Sequence, residues 1–172
     1  MMNLISICEE RSDDAAAIGA LHTAAFGGEV EATIVDRLRV GCPDLVSLVA
    51  VDGERVVGHI LFSPVTVDDG PVGMGLAPLA VLPEYQRQGI GSALIERGLA
   101  ALRERGCPFV VVLGHPDYYP RFGFERTSAH GLASQWDGVP DEAFMVLVLD
   151  AAAMTGAGGV ARYRAEFDEA ME

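Results

Sequence analysis

The sequence predicts a mixed α/β domain, and three observations carry that prediction. Apolar residues make up 50% of the 172 positions, enough to fill a substantial core at single-domain length. Helical spacing in one set of segments (Ile18, Leu21, Ala25; Ile90, Leu94, Ile95, Leu99, Leu102) is interleaved with short β-rich runs at residues 45–51, 109–113 and 143–149. Aromatics are scarce, at 7%, and Ala, Val, Leu and Gly carry the bulk, which fits an ordered domain rather than a disordered chain.

The elements follow in order. Leu4, Ile5 and Ile7 predict a short first strand. Ser12-Asp13-Asp14 predicts an N-cap with acids in the first turn, where they favour the helix dipole. The first helix ends at Gly27-Gly28, and a second carries Val30, Ile34 and Leu38 before Gly41-Cys42-Pro43. Residues 45–51 and 55–67 read as a hairpin about Asp52-Gly53. Residues 72–82 form a fourth strand, where Pro78 implies a bulge or a lost ladder bond. Residues 89–105 form a helix closed by Gly106 and Pro108, and residues 109–113 form a buried strand. One or two helical turns are expected at residues 116–122, a strand from Gly123-Phe124, and a last strong strand at 143–149. No repeat or linker is seen. The expected organisation is one domain over residues 1–150, with a tail at 151–172, Gly-rich at 156–159 and then briefly helical, packed on or near it.

The formal charge is −13, and all 12 basic residues are Arg. Nonspecific nucleic-acid binding needs a basic surface and is not expected. An anionic ligand must find local positive potential, which the amides of a helix start supply. Cys8, Cys42 and Cys107 include no CxxC pair, and His22, His59, His115 and His130 lack metal-ligand spacing. Neither a signal peptide nor an apolar run of membrane-spanning length is found. The expectation is a soluble, cytoplasmic protein without a metal and without membrane or nucleic-acid partners.

The most informative stretch is Leu79-Ala80-Val81-Leu82-Pro83-Glu84-Tyr85-Gln86-Arg87-Gln88-Gly89-Ile90-Gly91-Ser92: a strand, a tight turn and a helix start. Such a turn aims several amide hydrogens at one point with the helix dipole behind them. Gly89 and Gly91 leave room for a pyrophosphate. A P-loop would need Lys, which the chain lacks, and the dinucleotide fingerprint would need a third glycine where Leu94 stands.

These residues resemble the GNAT N-acetyltransferase superfamily. Its acetyl-CoA signature, Gln/Arg-x-x-Gly-x-Gly/Ala after Val-x-Pro, appears as Gln86-x-x-Gly89-x-Gly91 after Val81-Leu82-Pro83. Downstream, Tyr119-Pro120-Arg121-Phe122-Gly123-Phe124 looks like the superfamily's Tyr-x-x-x-Gly-Phe. Residues 112–124 also resemble a bacterial acetyltransferase subgroup, with His115 standing where that subgroup often has Asp.

The resemblance implies a mostly antiparallel twisted sheet of six or seven strands, flanked by helices, whose fourth and fifth strands splay to admit pantetheine. It implies acetyl-CoA as co-substrate and direct attack by a primary amine, from a small molecule or a peptide, in a ternary complex. Leu79, Ala80 and Val81 would offer backbone groups to the acyl carbonyl and pantetheine. The Leu79 amide would stabilise the oxyanion, a donor of a kind typically worth about 3 kcal/mol of barrier. Gln86, Gln88, Gly89, Ile90, Gly91 and Ser92 would hold pyrophosphate, with Arg87 at its rim. Tyr119 would contact the cofactor and return a proton to the thiolate, as a phenol that stays protonated at neutral pH can.

Many members of the superfamily are dimers, and the resemblance extends that option to this chain. Residues 72–82 contain no acid, so the base is sought elsewhere: at Glu31, at the start of the second helix, or at His115. His59, between apolar neighbours on the third strand, reads more readily as a hydrogen-bonded core histidine. The missing acid also leaves a second reading, a non-catalytic acyl-CoA-binding sensor or regulatory module.

Overall fold

The computed structural model describes residues 4–171. Its strands are β1 (Ile5–Glu9), β2 (Val46–Asp52), β3 (Arg55–Val65), β4 (Gly73–Val81), β5 (Phe109–Leu113), β6 (Glu125–Arg126), β7 (Leu132–Ser134), β8 (Phe144–Val148) and β9 (Gly159–Ala161). Its helices are α1 (Ala15–Phe26), α2 (Val30–Gly41), α3 (Ile90–Glu104) and α4 (Ala165–Met171). Seven strands form one sheet in the order β1-β2-β3-β4-β5-β8-β6, and β7 and β9 form a second, parallel pair. The β1–β2, β2–β3, β5–β8 and β6–β8 pairs are antiparallel, whereas β4 and β5 are parallel. The fold is the expected mixed α/β architecture. The β4–β5 ladder pairs only Met74 to Leu76 with Val110 to Val112, and β4 then runs on to Val81 past the last pair.

The chain divides into two compact units. Among the described residues, the first comprises 4–62, 78–100 and 165–171. Its core contains Ile18, Leu21 and Leu38 from the two N-terminal helices and Leu94 and Ile95 from α3, all essentially inaccessible to solvent. Burial of each such side chain contributes about 1.5–3 kcal/mol. Glycines set the closeness of α3 to the sheet. A Cβ on Gly58 would lie 3.1 Å from Leu94 and 3.2 Å from Ile90, and one on Gly98 would lie 2.3 Å from the Phe62 ring. The first turn of α3 is thereby pressed onto β3. The tail helix α4 returns to this unit and packs on α2, with Arg37 and Glu169 3.6 Å apart.

The second unit comprises residues 63–77 and 101–164. Tyr163 is its anchor: the side chain is buried, and a Cβ on Gly75 would fall 2.4 Å from its ring. The Tyr163 hydroxyl donates to the Val111 carbonyl at 3.3 Å. The Gly-rich segment of the tail runs into β9. It pairs with β7, and Asp68 fastens it by accepting from the Val160 amide (2.8 Å) and from Arg162 (2.5 Å).

Three local expectations are corrected. Ser12 does not cap α1; residues Ser12–Asp14 form a 3₁₀ turn, in which Asp14 accepts the Arg11 amide at 2.8 Å. The third strand ends at Val65, because Thr66 instead bridges to Arg162. The strand expected from Gly123-Phe124 begins at Glu125, since Gly123 is left-handed (φ 99°) and closes the preceding turn.

Candidate active site

In the first unit, β4 leads through a 3₁₀ turn (Pro83–Tyr85) and a tight loop into α3. The base of the loop is clamped to the β2–β3 hairpin. Tyr85 donates its hydroxyl to Asp52 at 2.6 Å, and Arg55 pairs with Glu84 at 2.7 Å. The Leu82 amide is bonded to the Val57 carbonyl at 2.9 Å, tying the end of β4 to β3. The Gln86 side-chain amide donates to the Val81 carbonyl at 2.9 Å, and that of Gln88 to the Glu84 carbonyl at 3.4 Å. Both side chains therefore brace the loop from within.

Two residues of the loop are left-handed, Arg87 (φ 63°) and Gly89 (φ 84°). Nothing lies within 4 Å of where a Gly89 Cβ would be, so glycine is required there by conformation and the space above it is open. The first i→i−4 bond of α3 runs from the Ala93 amide to the Gly89 carbonyl at 3.0 Å. The amides ahead of Ala93 are thus those that a helix leaves to partners outside itself, at its positive end. Gln86, Arg87, Gln88 and Gly89 are exposed, Gly91 and Ser92 half-buried, and the Ile90 side chain is buried against β3. On β4, Ala80 is buried and Leu79 and Val81 are half-buried.

In the second unit, β5 ends in the loop Gly114-His115-Pro116, and a 3₁₀ turn (Tyr119–Phe122) follows. Tyr119 is buried, and its ring occupies the space a side chain on Gly114 would need, at 2.3 Å. Edge-to-face contacts with Tyr118 (5.2 Å) and Phe124 (5.7 Å) fix the ring, and the Arg121 guanidinium lies 4.6 Å over the Tyr118 ring. Burial, helped by Tyr118, pushes the Tyr119 phenol up to about 12, so it is protonated at neutral pH. The Gly123-Phe124 pair of the motif is structural: Gly123 supplies the left-handed turn and Phe124 packs on Tyr119.

Among the candidate bases, Glu31 lies half-buried in the first turn of α2, and His115 is exposed just beyond β5. His59 is fully buried with both ring nitrogens engaged, to His22 at 2.8 Å and to Ser47 at 2.8 Å, the hydrogen-bonded core histidine expected. Sequence spacing did not reveal its partner, because His22 and His59 meet only when α1 covers the sheet. Among the described residues no group of His, Cys, Asp and Glu is arranged to hold a metal, and no helix is long and apolar enough to cross a membrane.

A strand-to-helix turn of this form, beside a parallel β4–β5 ladder that breaks off after three residue pairs, is the arrangement of acyl-CoA-dependent N-acyltransferases. The chain belongs to the Acetyltransferase (GNAT) family, whose sequence profile matches residues 15–124. It is 40% identical over 157 residues to the uncharacterized N-acetyltransferase YhbS of Escherichia coli K12, covering 90% of this chain and 93% of YhbS. It is 47% identical over 118 residues to the uncharacterized N-acetyltransferase YjhQ of the same organism, 65% of either chain. Among solved structures, E. coli YhbS in complex with CoA superposes with a TM-score of 0.91 at 38% identity, covering 98% of this chain and 94% of that one. A GNAT family acetyltransferase from Brucella melitensis in complex with acetyl-CoA gives 0.79 at 36% identity, covering 97% and 100%.

Proposed function

We propose that the chain transfers an acetyl group from acetyl-CoA to a primary amine by direct attack in a ternary complex. The observation that carries this reading is the loop into α3: an open left-handed glycine and helix-start amides, clamped by Tyr85–Asp52 and Arg55–Glu84. Two similar structures hold CoA or acetyl-CoA, which supports the same ligand here. In this reading Gln88, Gly89, Ile90, Gly91 and Ser92 receive the pyrophosphate, Arg87 covers its rim, and Gln86 keeps the strand end in place. Leu79, Ala80 and Val81 present backbone groups to pantetheine and the thioester, and the Leu79 amide steadies the oxyanion. Tyr119 is the acid that protonates the leaving thiolate, since its phenol is protonated at neutral pH and has a proton to give. Glu31 receives the proton lost by the amine. The acceptor is a small-molecule or peptide amine, drawn towards a chain of charge −13.

Calorimetry with CoA and acetyl-CoA, followed by CoA release against a panel of primary amines, tests this reading. Saturable binding with amine-dependent release is expected. Failure to bind CoA would overturn it. Binding without release on any amine would favour the sensor reading, for which the acid-free stretch at residues 72–82 already speaks.

A further inference from the structure

Asp52 and Arg55 are partner residues at the tip of the β2–β3 hairpin, closed by a turn in which Gly53 is left-handed (φ 63°). Residues directly opposite one another leave the same face of a hairpin, so a carboxylate and a guanidinium are presented together. Both reach the turn that leads from β4 to α3. Asp52 Oδ2 accepts from the Tyr85 hydroxyl at 2.6 Å. The Arg55 guanidinium lies 5.6 Å over the Tyr85 ring and donates to Glu84 Oε1 at 2.7 Å. Tyr85 is thus held by its hydroxyl and by its face.

Two residues further on stands Arg87, the one non-glycine among the described residues with a positive φ (63°). A side chain disfavours that conformation, and it persists where the surroundings over-determine it. Local sequence does not do so: Gln86, Arg87 and Gln88 precede the first glycine of the loop, Gly89. Bonds inside the loop fold it on itself, from the Tyr85 amide to the Leu82 carbonyl (2.8 Å) and from the Gln86 amide to the Pro83 carbonyl (3.3 Å). The bonds of Glu84 and Tyr85 fasten it to the hairpin.

These two attachments are unequal. Arg55 and Glu84 are 56% and 53% exposed, and an ion pair so exposed contributes little. The Tyr85–Asp52 bond is short, part-buried and made to a carboxylate, which is the stronger kind. It also raises the Tyr85 phenol, so the hydroxyl keeps its proton beyond neutral pH and remains a donor.

We propose that Asp52 and Tyr85 are positioning residues for acetyl-CoA: their hydrogen bond holds Arg87 left-handed before any ligand arrives, so that the amides at the start of α3 meet the pyrophosphate already aligned. The inference rests on the acetyl-CoA reading above. Neither side chain is required to touch the cofactor; both act through the loop. A loop that must first find its conformation binds with an affinity reduced by the fraction of time it spends there. The chemistry at the thioester is untouched, so the loss falls on binding and not on kcat.

Calorimetry with CoA, and kinetics with acetyl-CoA and a primary amine, compare wild type with Tyr85→Phe, Asp52→Ala, Asp52→Asn and Arg55→Ala. Tyr85→Phe and Asp52→Ala are expected to weaken CoA about tenfold, the loss of one hydrogen bond to a charged group, and to raise KM for acetyl-CoA in step, with kcat within about twofold. Asp52→Asn keeps an acceptor oxygen and should restore most of the affinity. Arg55→Ala should cost less than about threefold. Arg87→Gly reads the strain: there the left-handed turn needs no support, so adding Tyr85→Phe should cost less than about threefold. Folded Tyr85→Phe and Asp52→Ala proteins with a lowered Tm but wild-type CoA affinity would make the bond merely structural and overturn this inference alone. An undiminished loss in the Arg87→Gly background would overturn it too, since the bond would not be holding Arg87. Wild type that binds no CoA would remove the acetyl-CoA reading and this inference with it.

Discussion

His22 Nε2 and His59 Nδ1 meet at 2.8 Å in the solvent-free interior of the first unit, their rings nearly perpendicular at 84°. The pair joins α1 to β3 and, through Ser47, to β2. It is also an acid-sensitive joint. His22 titrates near 4 in the fold and near 6.5 in the unfolded chain, so between those values the unfolded chain binds more protons. Its contribution is therefore complete above about pH 6.5 and is lost as the pH falls towards 4. The loss from His22 alone is about 3 kcal/mol, and His59 adds to it in the same direction. Urea unfolding at pH 7, 5.5 and 4.5 measures it: stability falls with acidification, and His22→Phe flattens the slope. A wild-type profile level across this range would contradict the burial of a neutral pair.

Tyr119→Phe separates binding from proton delivery. The substitution keeps the ring that fills the space beside Gly114 and packs on Phe124, so the fold and CoA affinity are expected to survive. A group that protonates the leaving thiolate contributes about 10²- to 10⁴-fold, and kcat is expected to drop by that order. CoA release at saturating acetyl-CoA and amine gives the answer, and full activity in the variant would remove Tyr119 as the acid.

How legible this was from sequence depended on the range of the interaction involved. The α3 loop was legible because its chemistry is local: Gly89, Gly91 and the helix start lie within a few positions of one another. The helices and long strands were legible from periodicity, as Leu94, Ile95, Leu99 and Leu102 show by all being buried. Strand β9 was not, because Gly158 and Gly159 carry no strand propensity; contacts across the chain to Thr66 and Asp69 decide its course. The network from Arg39 through Glu10 and Ser47 to His59 and His22 was invisible for the same reason: its members come from five separate segments, and no spacing rule links them. Sequence could point to His59 as a core histidine; only the fold supplies the atom it bonds.

Arg87→Gly tests whether the guanidinium covers a pyrophosphate. The residue sits at φ 63°, a conformation costing a non-glycine side chain about 1–2 kcal/mol. Glycine relieves that strain but adds unfolded-state entropy worth about 0.5–1 kcal/mol, so thermal stability should change little. CoA affinity should fall about tenfold, the loss of one charged hydrogen bond, and its salt dependence should weaken. Unchanged CoA affinity by calorimetry would place Arg87 away from the phosphates.

Gly98→Ala opposes a local rule to a tertiary one. Position 98 lies inside α3, where alanine is favoured over glycine by about 1 kcal/mol. A methyl group there would stand 2.3 Å from Phe62 Cε2 and 2.6 Å from Cζ. Phe62 is fully buried on β3, so its ring has little room to retreat, and overpacking of this kind costs about 1–3 kcal/mol. The clash is expected to outweigh the propensity gain, lowering Tm by about 2–4 °C for each kcal/mol of net loss. Phe62→Leu alone leaves a cavity and is also destabilising. Combined with Gly98→Ala, however, it vacates the space the new methyl needs, so the double variant should be more stable than the sum of the two losses allows. Thermal unfolding of the four proteins measures that coupling. Strict additivity would mean that α3 shifts away from β3 rather than pressing on Phe62, and the close approach that positions the start of α3 would not depend on Gly98.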